Sequence, residues 1–427
     1  MTRTEIDPSD LDEAIVRGSE RAFAFLERLV AAPSTVGDEN RAQDVVGGEL
    51  ARLGFDVRSL PIPAEIGEDP LAGVPQGSYE GRCDVVGTSG DGDGPSLLLN
   101  GHIDVVPANE PELWTAPPFT PRIEEGWLYG RGSGDMKGGF AMATLALEAV
   151  LSLAPDVVRG SLSFLSVIEE ECTGNGTLAA ARAGVLADAV LLPEPTGLQL
   201  LLAGIGIVWL DVMVEGRAAH AQSADTAVNA IDAALVVMEA LRELEHDMNA
   251  HVDEPALNGA THPYNVNVGT LHAGDWGSSV PARARMTVRV GHPTAWGADE
   301  AERRVRDAVD EACAHHPWLS EHPPSIRPSG FRAEGYALDP GHALARRVAA
   351  AHAEAHGAPA ELVGAPSTTD ARLYLNHFDT PAVCYGPRAQ RIHGIDECVE
   401  LDSIVDGART LARFVAGWFT AQPEDLR

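Results

Sequence analysis

Ser96-Leu97-Leu98-Leu99-Asn100-Gly101-His102-Ile103-Asp104-Val105-Val106-Pro107 is the stretch from which the fold can be read. Three consecutive leucines suit a strand covered on both faces, as in a parallel sheet between helices, rather than the alternating pattern of a sheet open to water on one side. His102 and Asp104 follow at once. Positions two apart in extended chain project to the same side, so an imidazole and a carboxylate stand together beyond the carboxyl end of the strand. Ligands of open α/β sheets collect at that end.

Working outward, similar apolar runs at 84–88, 161–168 and 189–192 predict further strands, with helices over 138–153 and 177–183. Upstream, 11–53 reads as helical, with Phe23, Leu26, Leu29 and Val30 on one face and a second amphipathic run that Asp38 can cap. The Pro- and Gly-rich stretch 61–81 is loop. Together these predict an α/β layered sheet in the first two hundred or so residues.

The pattern changes near Gly206. Residues 207–215 alternate, with Val208, Leu210, Val212 and Val214 on one side. A long helix over 225–251, strands at 265–272 and 284–290, a helix over 298–316 and a short strand at 325–328 follow. This βαββαβ order is that of a ferredoxin-like sandwich. Helix, strand and helix character resumes at 341–356, 382–385 and 402–419. The expected organisation is therefore a mostly parallel α/β domain in two parts, 1–205 and 329–427, interrupted by an α+β module at 206–328.

The chain has 427 residues, 44% of them hydrophobic, with 63 acidic and 31 basic side chains and a formal net charge of −32. That is enough apolar material for two cores. It lacks the basic footprint that nucleic acid or an anionic membrane surface requires, so neither is an expected partner. Lys137 is the only lysine among the basic residues. Cys83, Cys172, Cys313, Cys384 and Cys398 are scattered and never form a C-x-x-C pair, which argues against a disulfide framework or a thiolate zinc knuckle. The acidic N-terminus has no apolar leader core, and no uninterrupted apolar run of membrane-spanning length is evident. A reducing cytoplasm is the expected location.

Further chemistry-bearing residues lie at comparable points of the chain. Asp135 sits in the glycine-dense GRGSGDMKGG ahead of a helix. Glu169, Glu170 and Glu171 follow the run 161–168, where three adjacent acids are costly unless a cation or solvent meets them. Glu194 stands between two prolines after 189–192, and His393 lies beyond 382–385. Imidazole and carboxylate without thiolate suit zinc, with cobalt or manganese as substitutes. Two such cations need a shared carboxylate, and a further carboxylate must carry the proton of an activated water. The pair Glu170 and Glu171 can supply a ligand and a base.

In chain order, GHIDVVP (101–107), GRGSGDMKGG (130–139), EEECTGNGT (169–177), PEPTG (193–197), GRAAHA (216–221), STTDAR (367–372) and HGIDECV (393–399) resemble the dinuclear zinc amidohydrolases that include acetylornithine deacetylase, succinyl-diaminopimelate desuccinylase, aminoacylase-1 and glutamate carboxypeptidase. The resemblance implies a zinc-peptidase catalytic domain with an inserted dimerisation lid at 206–328, and a homodimer. It implies that Asp135 bridges two divalent metals, that His102 and Glu171 serve the first, and that Glu194 and His393 serve the second. Glu170 becomes the general base and acid, Asp104 orients the His102 ring, and Asp135-Met136 is expected as a cis peptide. His220 would reach the partner subunit's site and help stabilise an oxyanion. Thr368, Arg372 and Arg289 are implied near the substrate, where Arg372 serves either a carboxylate or a structural ion pair.

Where many relatives carry Asn-x-x-Pro, this chain has Ser278-Ser279-Val280-Pro281, so that an amide donor expected near the oxyanion is replaced by a smaller hydroxyl or lost. Phrases such as GDWGSSVP resemble the acetylornithine deacetylase-like deacylases, a subgroup that includes a formylaminopyrimidine deformylase. The implied activity is hydrolysis of a small N-acyl amino acid or amine. A dipeptidase or carboxypeptidase is the alternative within the class, and a metal-binding protein without turnover the alternative outside it. Retention of Glu170 favours the enzyme.

Overall fold

The computed structural model describes residues 6–90, 92, 94–250, 252–257 and 259–421. Among these, the largest sheet has nine strands. Its order is Asp56–Pro61, Cys83–Ser89, Ser161–Val167, Ser96–His102, Val190–Leu192, Ala382–Cys384, Leu200–Gly204 and Tyr336–Ala337, and Leu362–Ala365 also pairs with Leu200–Gly204. The four strands from Ser161–Val167 to Ala382–Cys384 are parallel. Antiparallel pairs flank them on both sides.

Alternation within the leucine run fills two cores at once. Leu97 and Leu99 pack among the long helices Pro8–Val30, Gly138–Leu153, Ala343–His356 and Leu401–Thr420, whereas Leu98 faces the short helices Asn175–Arg182 and Ala371–His377. All three leucines are fully buried, each contributing about 1.5–3 kcal/mol of hydrophobic stabilisation. The segment Ser133–Leu153 has the length and apolar content of a membrane span, but 78% of its most apolar window is buried inside the fold. Its composition belongs to the core.

The first helix starts where Asp7 accepts the N–H of Ser9, with Pro8 in the first turn. The second, Asn40–Arg52, is preceded by Glu39 rather than capped by Asp38. The Glu39 carboxylate bonds to the N–H of Gly37 and to Arg82 instead. A small sheet that the sequence reading missed joins Arg122–Glu124, Trp127–Tyr129, Cys398–Glu400 and Ala389–Gln390. Strands of two or three residues are too short to show a period.

From Gly206 the chain forms a four-stranded antiparallel sheet in the order Val266–Ala273, Arg283–His292, Gly206–Glu215 and Ser325–Ala333. Helices Ala230–Ala250 and Ala298–Ala314 complete the ferredoxin-like pattern, packing on Val208, Leu210, Val212 and Val214. The last strand extends beyond the expected 325–328, with its register shifting between Pro328 and Arg332. Proline lacks the ladder N–H, which suits this edge position. At the junction with the large sheet, Gly206 lies opposite His292, and a Cβ there would come within 2.0 Å of the imidazole.

Candidate metal centre

Loops following neighbouring strands bring six acidic and imidazole side chains together. His102 Nε2 lies 3.1 Å from Asp135 Oδ1 and 3.9 Å from Glu194 Oε2. His393 Nε2 lies 3.1 Å from Glu171 and 3.5 Å from Asp135 Oδ2. Asp135 thus stands between the two imidazoles, one oxygen toward each. Glu170 Oε2 is 3.9 Å from His102 Nε2. His102, Asp135 and Glu171 also offer atoms within 4.8 Å of one another, so Glu171 is near both histidines. Its short contact is with His393. By these contacts Glu194 stands nearer His102 and Glu171 nearer His393, the reverse of the pairing the resemblance implies, although His102, Asp135 and Glu171 also form one possible donor set.

Backbone devices aim these groups. His102 donates Nδ1–H to the Asp104 carbonyl at 2.9 Å, which leaves Nε2 to face the acids, the usual preparation of a metal-binding histidine. The Asp104 carboxylate stays 3.7 Å from the ring and accepts the N–H groups of Glu170 (3.2 Å) and Glu171 (3.1 Å). The contact that orients the ring thus comes from the Asp104 carbonyl, while its carboxylate holds that loop. Glu169 turns back at φ +60. It receives Arg82 at 2.6 Å, Tyr79 at 2.7 Å and Thr173 at 2.9 Å, while Arg82 also binds Glu39. These bonds hold a backbone conformation that costs about 1–3 kcal/mol.

The Asp135 turn is held by a residue the sequence reading missed. Glu397, buried, accepts the N–H groups of Gly132 (3.0 Å), Gly134 (2.9 Å) and Asp135 (2.9 Å), together with Arg131 at 2.6 Å. The Asp135-Met136 peptide is cis, as the resemblance implied. Behind the turn, Gly139 lets the helix start against the Glu194 loop, since a Cβ there would stand 1.8 Å from the Pro193 carbonyl oxygen.

The electrostatics call for added positive charge. Burial, joined by neighbouring carboxylates, pushes Glu170 well above the ordinary range and Glu194 up to about 8. Burial opposes ionisation of Asp135 as well, but hydrogen bonds from His102 and His393 hold its pKa below the usual value. The Glu171 charge raises His393 to about 11 against the effect of burial. An oxygen- and imidazole-rich set without thiolate, crowded with acids in a buried place, fits divalent cations.

A cavity of about 880 Å³ opens in front of these donors and reaches the free face of the antiparallel sheet. Arg289 and Thr368 line it. Arg289 bonds the Asn265 carbonyl at 3.4 Å, and the buried Thr368 Oγ1 has no hydrogen-bond partner. Arg372 does not line the cavity: it is buried, pairs with Asp370 at 3.2 Å and donates to the carbonyls of Thr369 and Thr173. The structural ion pair is the reading the geometry supports. His220 is exposed and outside the cavity, with Nδ1 accepting the N–H of Gln222 and its backbone bridging to Ser279.

The fold and this acid- and imidazole-lined centre define a metallohydrolase. Residues 98–417 match the model of peptidase family M20/M25/M40, and the chain belongs to that family. It is a metallo-amidohydrolase. A succinyl-diaminopimelate desuccinylase of Methylobacterium sp. (strain 4-46) is 30% identical over 415 residues, covering 94% of this chain and 97% of that protein. An N-formyl-4-amino-5-aminomethyl-2-methylpyrimidine deformylase of Bacillus subtilis (strain 168) is 24% identical over 404 residues, covering 90% of each. Among solved structures, the di-peptidase Dug1p from Saccharomyces cerevisiae superposes with a TM-score of 0.79 at 16% identity, covering 99% of this chain and 100% of that one.

Proposed function

We propose that this enzyme hydrolyses the amide bond of a small N-acyl amino acid or N-acyl amine. His102, Asp135 and Glu194 would hold one divalent cation and Asp135, Glu171 and His393 a second. Zinc suits these donors best, with cobalt or manganese as substitutes. Such cations, when bound, supply Lewis acidity toward the carbonyl and ease deprotonation of water. Glu170 takes a proton from the attacking water as the new C–O bond forms, then delivers it to the nitrogen as the C–N bond breaks, leaving a carboxylate and an amine. What supports this assignment is that Glu170 lines the cavity beside the donors, 3.9 Å from His102, a distance it shares with Glu194, and that the family resemblance implies the base at Glu170. The names of the desuccinylase and deformylase relatives support acyl removal from nitrogen.

Arg289 is assigned to a substrate carboxylate and Thr368 to a polar contact beside it. Residues 206–328 are assigned as a dimerisation lid that presents His220 to the partner subunit's oxyanion. The free cysteines among the described residues support a reducing cytoplasmic setting.

The test is turnover of acetyl, formyl and succinyl amides by chelator-stripped protein reloaded with zinc or cobalt. Stripping should abolish activity and reloading restore it. Glu170→Gln should lower kcat by about 10²–10⁴-fold, the usual contribution of a general base, with metal content unchanged. Cleavage of dipeptides alone would favour the peptidase reading. Undiminished turnover in Glu170→Gln would remove Glu170 from the chemistry.

A further inference from the structure

The cavity carries more information than a short acyl group needs. About 880 Å³ lies in front of the donors, whereas pockets of about 300–1,000 Å³ hold drug-sized ligands. Register arranges its roof. Trp209 pairs with Arg289, and Arg289 pairs with Asn267, so the three stand in one cross-strand row on the face turned away from the lid helices. Directly opposed side chains begin about 4.5–5.5 Å apart at Cβ. The Arg289 and Trp209 side chains therefore start side by side, and both line the cavity.

The indole is not a loose flap. Its ring meets Phe331 edge to face, with centroids 5.6 Å apart at 83°, and Phe331 is backed by the Arg372 guanidinium at 5.3 Å. Gly330 lets the indole lie close to the neighbouring strand, since a Cβ there would come within 2.6 Å of the ring. Ile207 and Ile392 extend the apolar wall. Charge restricts the ligand further. Among the described lining residues outside the six-group centre, Arg289 is the one charged side chain, so no spare carboxylate awaits a second ammonium.

We infer that the preferred substrates are N-acyl α-amino acids with an aromatic side chain, the α-carboxylate on Arg289 and the ring against Trp209 and Phe331. In such a molecule one methylene separates the ring from the carbon bearing the carboxylate, which matches neighbouring side chains on paired strands. Substrates with a charged amino side chain are disfavoured. The inference rests on the amide-hydrolase reading above and narrows it.

The experiment compares kcat/KM of the zinc-loaded enzyme for N-acetylphenylalanine, N-acetylglycine, N-acetylornithine and N-succinyl-diaminopimelate. Phenylalanine should exceed glycine and ornithine by about tenfold or more, the range that pocket contacts of this kind provide. Trp209→Ala should reduce the phenylalanine-to-glycine ratio by about tenfold, chiefly through KM, and Trp209→Phe should recover most of it. Phe331→Leu should shift the ratio in the same direction. Calorimetric binding of phenylalanine to wild-type and Trp209→Ala enzymes, with circular dichroism as a check on folding, gives a readout independent of turnover. Cleavage of N-acetylglycine or N-acetylornithine without aromatic preference, or an unchanged ratio in folded Trp209→Ala, overturns the inference while leaving the hydrolase reading intact. Cleavage of no amide overturns that reading first.

Discussion

Lys137, the only lysine in the chain, is fully buried two residues beyond Asp135. Its Nζ donates to the carbonyls of Leu29 (2.9 Å) and Ala32 (3.0 Å), at the end of the first helix, where a cation also complements the helix dipole. Burial brings its pKa down to about 7 against the pull of Glu397 and Asp104. A planar, larger guanidinium cannot use the same slot. Lys137→Arg should therefore lower stability by about 1–3 kcal/mol through overpacking and reduce bound metal, checked by thermal unfolding and elemental analysis. Wild-type values for both would return the lysine to a compositional accident. The donors themselves were legible because each follows an apolar run or a glycine turn, which is where a strand end can be recognised. Their pairing was not legible. Val190–Leu192 pairs with Ser96–His102, which brings Glu194 to His102, and adjacency between strands is not written in chain order. Glu397 was also hidden, because a carboxylate whose partners are backbone N–H groups leaves no side-chain pattern to find.

At the scale of elements, His292 ends the strand Arg283–His292 fully buried. Nδ1–H donates to the Pro293 carbonyl at 3.1 Å, and burial lowers the pKa to about 4 against the pull of the Pro293 and Ala333 carbonyls. The unfolded imidazole titrates near 6.5, so the unfolded chain binds the proton more readily between these values. The contribution is complete above about pH 6.5 and is lost as pH falls toward 4, by about 3 kcal/mol. The fall in melting temperature between pH 7.5 and 4.5 should be smaller in His292→Asn than in wild type. An equal fall would assign the acid sensitivity to other groups. The module containing His292 was readable in advance because its strands alternate and its helices are long. The two- and three-residue strands of the small sheet had no such periodicity, and the membrane-like composition of Gly138–Leu153 became interpretable only once helices were seen around it.

For the whole molecule, the charge of −32 favours solubility, yet the ferredoxin-like module exposes apolar side chains: Leu235 is 53% and Trp276 71% accessible. Val266–Ala273 is also an edge strand. A homodimer through this module should be detected by light scattering. If His220 serves the opposite subunit, His220→Ala and Glu170→Gln enzymes should each be inactive, whereas mixed dimers should recover activity because one of their two sites has both groups. Failure of mixed dimers to recover would leave His220 without that role. The strand order has another consequence, for synthesis. Ala382–Cys384 lies beside Val190–Leu192 in the middle of the large sheet, although the entire ferredoxin-like module is translated between them. On the ribosome the module's strands and helices can condense while the sheet beside Val190–Leu192 still has an open hydrogen-bonding edge. A chain stalled before residue 382 would thus combine a folded appendage with an aggregation-prone core, and chaperone protection of that edge would be needed late in translation rather than at the outset.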